Sequence, residues 1–188
     1  MRFTRSVEAD RLREFLARAE AAPLSYPEVG RSLGDRPDGY HHDSYGVALG
    51  TGDAVYRRAI QGLQAWRAHR AAGVIVHPAH APIEAGTTVA LALRAPVLYV
   101  LAACRIVAVV CETDRFGFAY GTLAGHPEQG EEAFLIERDG DAVRFTITAF
   151  SRPHDLIARL GSPAARVIQR RVTRAYLSGL QRFVAPKD

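Results

Sequence analysis

The chain has 188 residues, 48% of them hydrophobic and 23% charged, with a formal net charge of +4, enough for a domain that buries roughly 70% of its unfolded surface. No apolar run reaches the roughly 18 to 20 residues of a membrane-spanning helix, and the richest, VLYVLAACRIVAVVC at 97–111, carries Arg105 in its middle. Lys187 is the single lysine, so the positive balance reads as an arginine preference rather than a nucleic-acid footprint, and no nucleic-acid partner is expected.

The opening residues MRFTRSVEADRLREFL carry charges throughout and no apolar leader core, which argues for a soluble cytoplasmic protein. Val7, Leu12, Phe15 and Leu16 recur at helical spacing, so a first helix is expected over about 7–21, stopped by Pro23 and Pro27. Residues 23–45 are rich in Pro, Gly, Asp and Ser and read as a long irregular loop. Loops of that length inside a compact domain are more often functional than short ones. His41 and His42 fall in it.

YGVALGTG at 45–52 reads as a strand and turn. Asp53 is placed to cap a helix over 54–71 with Ala54, Ala59, Ile60, Leu63 and Trp66 facing inward. From Val74 the texture changes to strands, expected near 73–77, 86–94, 97–111, 115–123, 131–138 and 142–151. Within a regular strand the seven-residue separation of Cys104 and Cys111 puts them on opposite faces, about 23 Å apart, too far for a disulfide. Ser151 is placed to cap a short helix beginning near Pro153–His154. The last element is a helix from Ser162 to about Phe183. Its expected apolar stripe is Ile168, Val172, Ala175, Tyr176, Gly179, Leu180 and Phe183, with Arg166, Arg170, Arg171, Arg174 and Arg182 mostly opposite.

This order implies one α+β domain over 1–188. A curved antiparallel sheet buries one face against the long C-terminal helix. Residues 45–184 form that core, and residues 1–44 cover an edge or the outer face. The arrangement resembles the helix-grip fold of the START and polyketide-cyclase-like superfamily, which often leaves a ligand cavity between sheet and helix. A sharper resemblance rests on SYPEVG (25–30), PDGY (37–40), LGTG (49–52), ACRIV (103–107), FGFAYGTLAGHPEQGEEAF (116–134) and AFSRP (149–153). Together, over about residues 25–175, these look like an uncharacterised bacterial and plant family, the domain of unknown function numbered nineteen-ninety. Arg31–Ser32 departs from the Ala-Thr expected after EVG. Ser32 keeps the hydroxyl, whereas an arginine at 31 argues against tight burial of that loop. The resemblance implies a fold and no reaction.

The candidate site is the segment 116–134. Phe116, Phe118, Tyr120 and Thr122 share one strand face, while Gly117, Ala119, Gly121 and Leu123 share the other, where small residues admit the C-terminal helix or a ligand close to the backbone. Of Glu131 and Glu132, alternation sends one inward, and that carboxylate needs a partner. Arg105 is the candidate. His126, Glu128, Glu131 and Glu132 match no established metal spacing, and no metal or cofactor is expected. Gly-x-Ser-x-Gly and P-loop signatures are absent.

The function expected first is binding of a small, largely apolar molecule between sheet and helix. Tyr120, Arg105, Glu132, Phe118, Thr122 and His126 would line the site. The alternatives are a hydratase- or cyclase-like enzyme using Glu132 or His126 as acid or base with Tyr120 as donor, and an interaction module using the basic last helix on an anionic partner. Nothing in the sequence assigns an oligomeric state.

Overall fold

The computed structural model of the chain describes residues 2–4, 7–94, 98–126, 128–153 and 162–185; side chains are described for all of these except 2, 3 and 162–166. The strands are β1 (Arg2–Thr4), β2 (His41–Thr51), β3 (Val74–His77), β4 (Thr88–Arg94), β5 (Tyr99–Cys111), β6 (Arg115–Thr122), β7 (Glu128–Asp139) and β8 (Ala142–Pro153). The helices are α1 (Ala9–Glu20), α2 (Asp53–Gln64), α3 (Arg67–Ala71) and α4 (Ser162–Val184). The strands form one antiparallel sheet in the order β2-β8-β7-β6-β5-β4-β3. β1 pairs with residues 99–101 of β5, on the side that β6, paired only from Cys104 onward, leaves open.

The sheet curves around α4, and its concave face carries the main core. Val89, Cys104, Ile106, Phe118, Tyr120, Phe134, Phe145 and Ile147 from the strands meet Leu63 and Trp66 near α2 and Tyr176 and Leu180 on α4. α1 packs on the opposite, convex face, where Leu12 meets Ala92 and Leu101, and Ala19 meets Ala103 and Leu123. β4, β5 and β6 therefore bury both pleat directions over part of their length, which is why β5 and β6 read as nearly continuous apolar runs.

Several expectations change. The helix foreseen over 54–71 is two helices, because Trp66 adopts a left-handed conformation (φ +55°) between them. The turn aims Trp66 into the core, where its indole N–H donates to the Ala81 carbonyl at 2.9 Å. Gly52, not Asp53, is the cap of α2, and Ala54 is exposed while Tyr56 is buried. His41 and His42 belong to β2 rather than to a loop. β8 runs through Ser151 to Pro153. The short helix expected from Pro153–His154 lies outside the described residues.

The two cysteines pair opposite Thr122 and Phe116, positions of equal parity, because a bulge between Ile106 and Ala108 flips the alternation. The register thus places both on one face, Cys104 buried and Cys111 exposed, each a free thiol. On α4, Ile168 leaves the expected stripe and is 53% exposed, while Thr173 is buried in its stead.

α4 is held against α2 and α3 by close backbone approach. A Cβ placed on Gly179 would come within 2.2 Å of Ala71 Cβ, and one on Gly62 within 2.6 Å of Leu180. The expected effect of Gly179→Ala is a loss of about 1–3 kcal/mol through overpacking, despite its gain in helix propensity, measured by urea denaturation.

Candidate functional site

Two adjacent rungs of the sheet organise the segment that dominates the sequence. One rung runs Ile106, Tyr120, Glu132, Ala149, Asp43, and the next runs Arg105, Gly121, Glu131, Phe150, His42. Successive residues point to opposite faces, so Glu132 faces the concave side and Glu131 the convex side. His126, Glu128, Glu131 and Glu132 consequently do not converge on one point.

On the convex rung, Glu131 is 3% exposed. Its carboxylate accepts from Tyr26 Oη at 2.7 Å, the Gly30 N–H at 2.5 Å, the Ser32 N–H at 3.2 Å and Ser32 Oγ at 2.8 Å. These donors come from the proline- and glycine-rich loop, so the carboxylate fastens that loop to the sheet. Two glycines make room for it. A Cβ at Gly121 would lie 2.0 Å from Tyr26 Oη, and Gly130 holds φ +151° with its missing Cβ 1.9 Å from the Phe150 carbonyl. The small-residue face of β6 therefore admits Tyr26, rather than the C-terminal helix or a ligand. Burial, then the hydrogen bond to Glu131, pushes the Tyr26 hydroxyl pKa far up. It remains a donor. Ser32 supplies the hydroxyl kept from the family pattern, while Arg31 turns outward to Asp35 at 3.6 Å, so an arginine there does not prevent tight seating.

Arg105 meets neither glutamate. It shares a rung with Glu131, but Gly121 lies between them with Tyr26 above it. Arg105 Nε instead donates to Thr88 Oγ1 at 3.1 Å, and one Nη donates to the Glu20 carbonyl at 2.8 Å and more weakly to that of Ala19 at 3.4 Å. These are last-turn carbonyls of α1, which a cation suits. Thr122 Oγ1 accepts from the Gly130 N–H at 3.0 Å and lies 2.6 Å from Ser25 Oγ, tying β7 and the loop together. His126 Nδ1 lies 3.0 Å from the Glu128 amide nitrogen across its turn.

The concave rung brings Tyr120, Glu132 and Phe118 together and adds His69. Tyr120 Oη donates to Glu132 Oε2 at 2.8 Å and lies 3.3 Å from His69 Nε2. His69 is wholly buried among the rings of Trp66, Phe134 and Tyr176, with centroids 4.6–4.8 Å away. Its Nδ1 has no partner among the described residues. With Glu132 ionised, Tyr120 donates to the carboxylate and His69 donates to Tyr120. With Glu132 protonated on Oε2 and donating to Tyr120, Tyr120 can donate to His69 Nε2, and His69 then carries its proton on Nδ1. Burial lowers the His69 pKa to about 3. Burial raises Glu132 to about 7, against the pull of the Tyr120 hydrogen bond, and the negative charges of Glu128 and Asp43 add to the rise. Tyr120 is pushed well above its usual value by burial and by the Glu132 charge.

Outward from Glu132 lies a small opening lined by Asp43, Tyr45, Ile147, Gln169, Arg170 and Thr173, with a volume of about 10 Å³, room for one water. Among the described residues, the rings of Trp66, His69, Phe134 and Tyr176 occupy the space between sheet and α4 where a helix-grip architecture suggests a cavity. His69 is the residue the sequence reading missed, although a signal existed. The stripe Ala59, Leu63, Trp66 continues to position 69 at the next helical step.

A family model described as a domain of unknown function, DUF1990, matches residues 25–179, and the chain belongs to that family. A protein of Deinococcus radiodurans named only as a UPF0548 protein is 38% identical over 180 residues, covering 89% of this chain and 91% of its own length. An Arabidopsis thaliana protein of the same designation is 31% identical over 145 residues, covering 73% and 70%. Among solved structures, a hypothetical protein of Helicobacter pylori superposes with TM-score 0.58 at 13% identity over 87% of this chain and 96% of its own. Norcoclaurine synthase from Thalictrum flavum superposes with TM-score 0.52 at 6% identity over 81% and 99%. At such identities the likeness establishes the helix-grip fold alone. No helix among the described residues is long and apolar enough to cross a membrane.

Removing the Glu131 carboxylate strands several buried donors, each worth about 1–3 kcal/mol. Glu131→Ala is expected to lose about 3 kcal/mol or more in denaturant unfolding, and limited proteolysis should then cut within 25–33. The titrations of the concave site act in opposite directions. The folded His69 pKa is depressed, so its contribution is intact above the unfolded value of 6.5 and is lost as pH falls toward 3, at up to about 1.4 kcal/mol per pH unit. The folded Glu132 pKa is raised, so its contribution is full below 4.5 and is lost as pH rises through about 7. His69→Phe should flatten the acid limb of a Tm-against-pH curve and leave the neutral limb in place.

Proposed function

We propose that this member of the DUF1990 family binds a small, largely apolar molecule on the concave face of the sheet, with its polar group set against Glu132 and Tyr120. The observation that carries the reading is the hydrogen-bonded line His69–Tyr120–Glu132, a polar thread through an otherwise apolar core that ends at an opening rather than at a protein partner. A ligand larger than one water would lie across the opening, against α4. Val167 and Ile168 there are 67% and 53% exposed, beside Gln169 and Arg170 at the opening, and would be covered by the bound molecule. The helix-grip fold supports the same placement, by analogy of architecture.

A second reading, acid–base catalysis on the bound molecule, is favoured by one observation. A Glu132 pKa near 7 leaves the group available both as a proton donor and as an acceptor at neutral pH, while Tyr120 stays a hydrogen-bond donor.

Two measurements decide between these readings. Native mass spectrometry of the purified chain, followed by extraction, should reveal an added small-molecule mass that falls several-fold in occupancy in Glu132→Ala. An apo mass that persists through a ligand screen removes the binding reading. A carboxyl-carbon NMR titration should place the Glu132 midpoint near 7, and a midpoint in the ordinary carboxylate range removes the catalytic one.

A further inference from the structure

Arg105 stands in a second cavity that neither the family resemblance nor the concave site accounts for. On the convex side, between the C-terminal end of α1, the segment after β3 and the start of β4, lies a cleft of about 390 Å³. That is within the usual range of small-molecule sites, roughly 300–1,000 Å³. Leu16, Pro78 and Pro82 give it apolar walls, while His80, Thr87, Thr88 and Arg105 are polar and Glu20 also lines it.

The Arg105 guanidinium is held by one hydroxyl and two main-chain carbonyls and forms no ion pair among the described residues. Its Nε and one Nη are committed to these partners, which fixes the plane of the group. The other Nη has no protein acceptor among the described residues, so its two N–H bonds remain for a ligand. A half-buried cation balanced only by dipoles is a receptor for an anion. The negative charge of Glu20 opposes a dianion such as a phosphate monoester more than a single carboxylate. The apolar walls require the rest of the molecule to be hydrophobic.

We infer that this cleft binds a small organic monocarboxylate, its carboxylate on Arg105 and its apolar body between α1 and the proline-bearing segment 78–82. The site is separate from the one over Glu132 and does not depend on that reading.

A reporter is built in. Ala81 lines the cleft and accepts the indole N–H of Trp66 at 2.9 Å, and Trp66 is the single tryptophan of the chain. The full-length protein, labelled with nitrogen-15, is titrated with phenylacetate and with the uncharged 2-phenylethanol while the indole N–H resonance is followed. Phenylacetate should give a saturable shift below about 10 mM. The alcohol and the Arg105→Gln variant should each bind about tenfold more weakly or worse. Thr87→Phe, which fills the cleft and leaves Arg105 and α1 in place, should also abolish the shift, so the test stands even where Arg105→Gln loosens α1. Glu132→Gln should bind phenylacetate as the parent does. A non-saturating shift overturns the inference. So does equal binding of the alcohol, full binding by Thr87→Phe, or loss of binding in Glu132→Gln, which would assign the ligand to the concave site.

Discussion

The structure depends on the buried carboxylate of Glu131. Four donors from a loop with almost no regular structure of its own converge on it, and a carboxylate withdrawn from water requires such compensation. Neighbouring contacts complete the seal: Ser25 N–H donates to the Thr122 carbonyl at 2.9 Å, Thr148 Oγ1 donates to the Ser32 carbonyl at 2.8 Å, and Tyr26 and Tyr40 meet the Phe150 ring edge-on. With the loop so fastened, the middle of the sheet is dry on its convex side, and its concave side is left to form the core with α4.

The same pleat that sends Glu131 outward sends Glu132 inward, and the two neighbours have different electrostatic surroundings. Glu131 is saturated with donors and serves as an anchor. Glu132 has one strong donor, Tyr120; burial raises its pKa most, and the negative charges of Glu128 and Asp43 add to the rise. It therefore sits near the midpoint of its titration at neutral pH, the condition under which a carboxyl group most readily exchanges a proton. His69 behind Tyr120 is kept neutral by burial, so the thread can reverse its hydrogen bonds when Glu132 gains a proton without a second charge in the core. A core in which His69 Nδ1 has no partner among the described residues forgoes stability there, a pattern associated with functional positions more than with packing.

Trp66 links the two faces. Its ring lies 5.2 Å from Phe118 in the concave core, and its N–H reaches the carbonyl of Ala81 at the wall of the convex cleft. The left-handed turn at Trp66, which divides α2 from α3, makes this double contact possible. It also carries His69 onto a short helix whose side chains can point at Tyr120.

The sequence by itself determined the kinds of elements, their order, the antiparallel sheet with a long closing helix, and the family. It also determined that one of two adjacent glutamates would point inward, because hydrophobic period, turn residues and strand alternation are local properties of the chain. Only the tertiary structure decided the partners. Arg105 caps α1 instead of pairing with a glutamate, Tyr26 occupies the space over Gly121, and His69 joins Tyr120 from 51 positions away. A single bulge in β5 brought the cysteines to one face. Whether the space between sheet and helix is open or filled was equally beyond reach of the pattern. It depends on how Trp66 from the turn between α2 and α3, His69 from α3, Phe134 from β7 and Tyr176 from α4 share one volume, and close packing is a property of the assembled side chains, not of any segment alone.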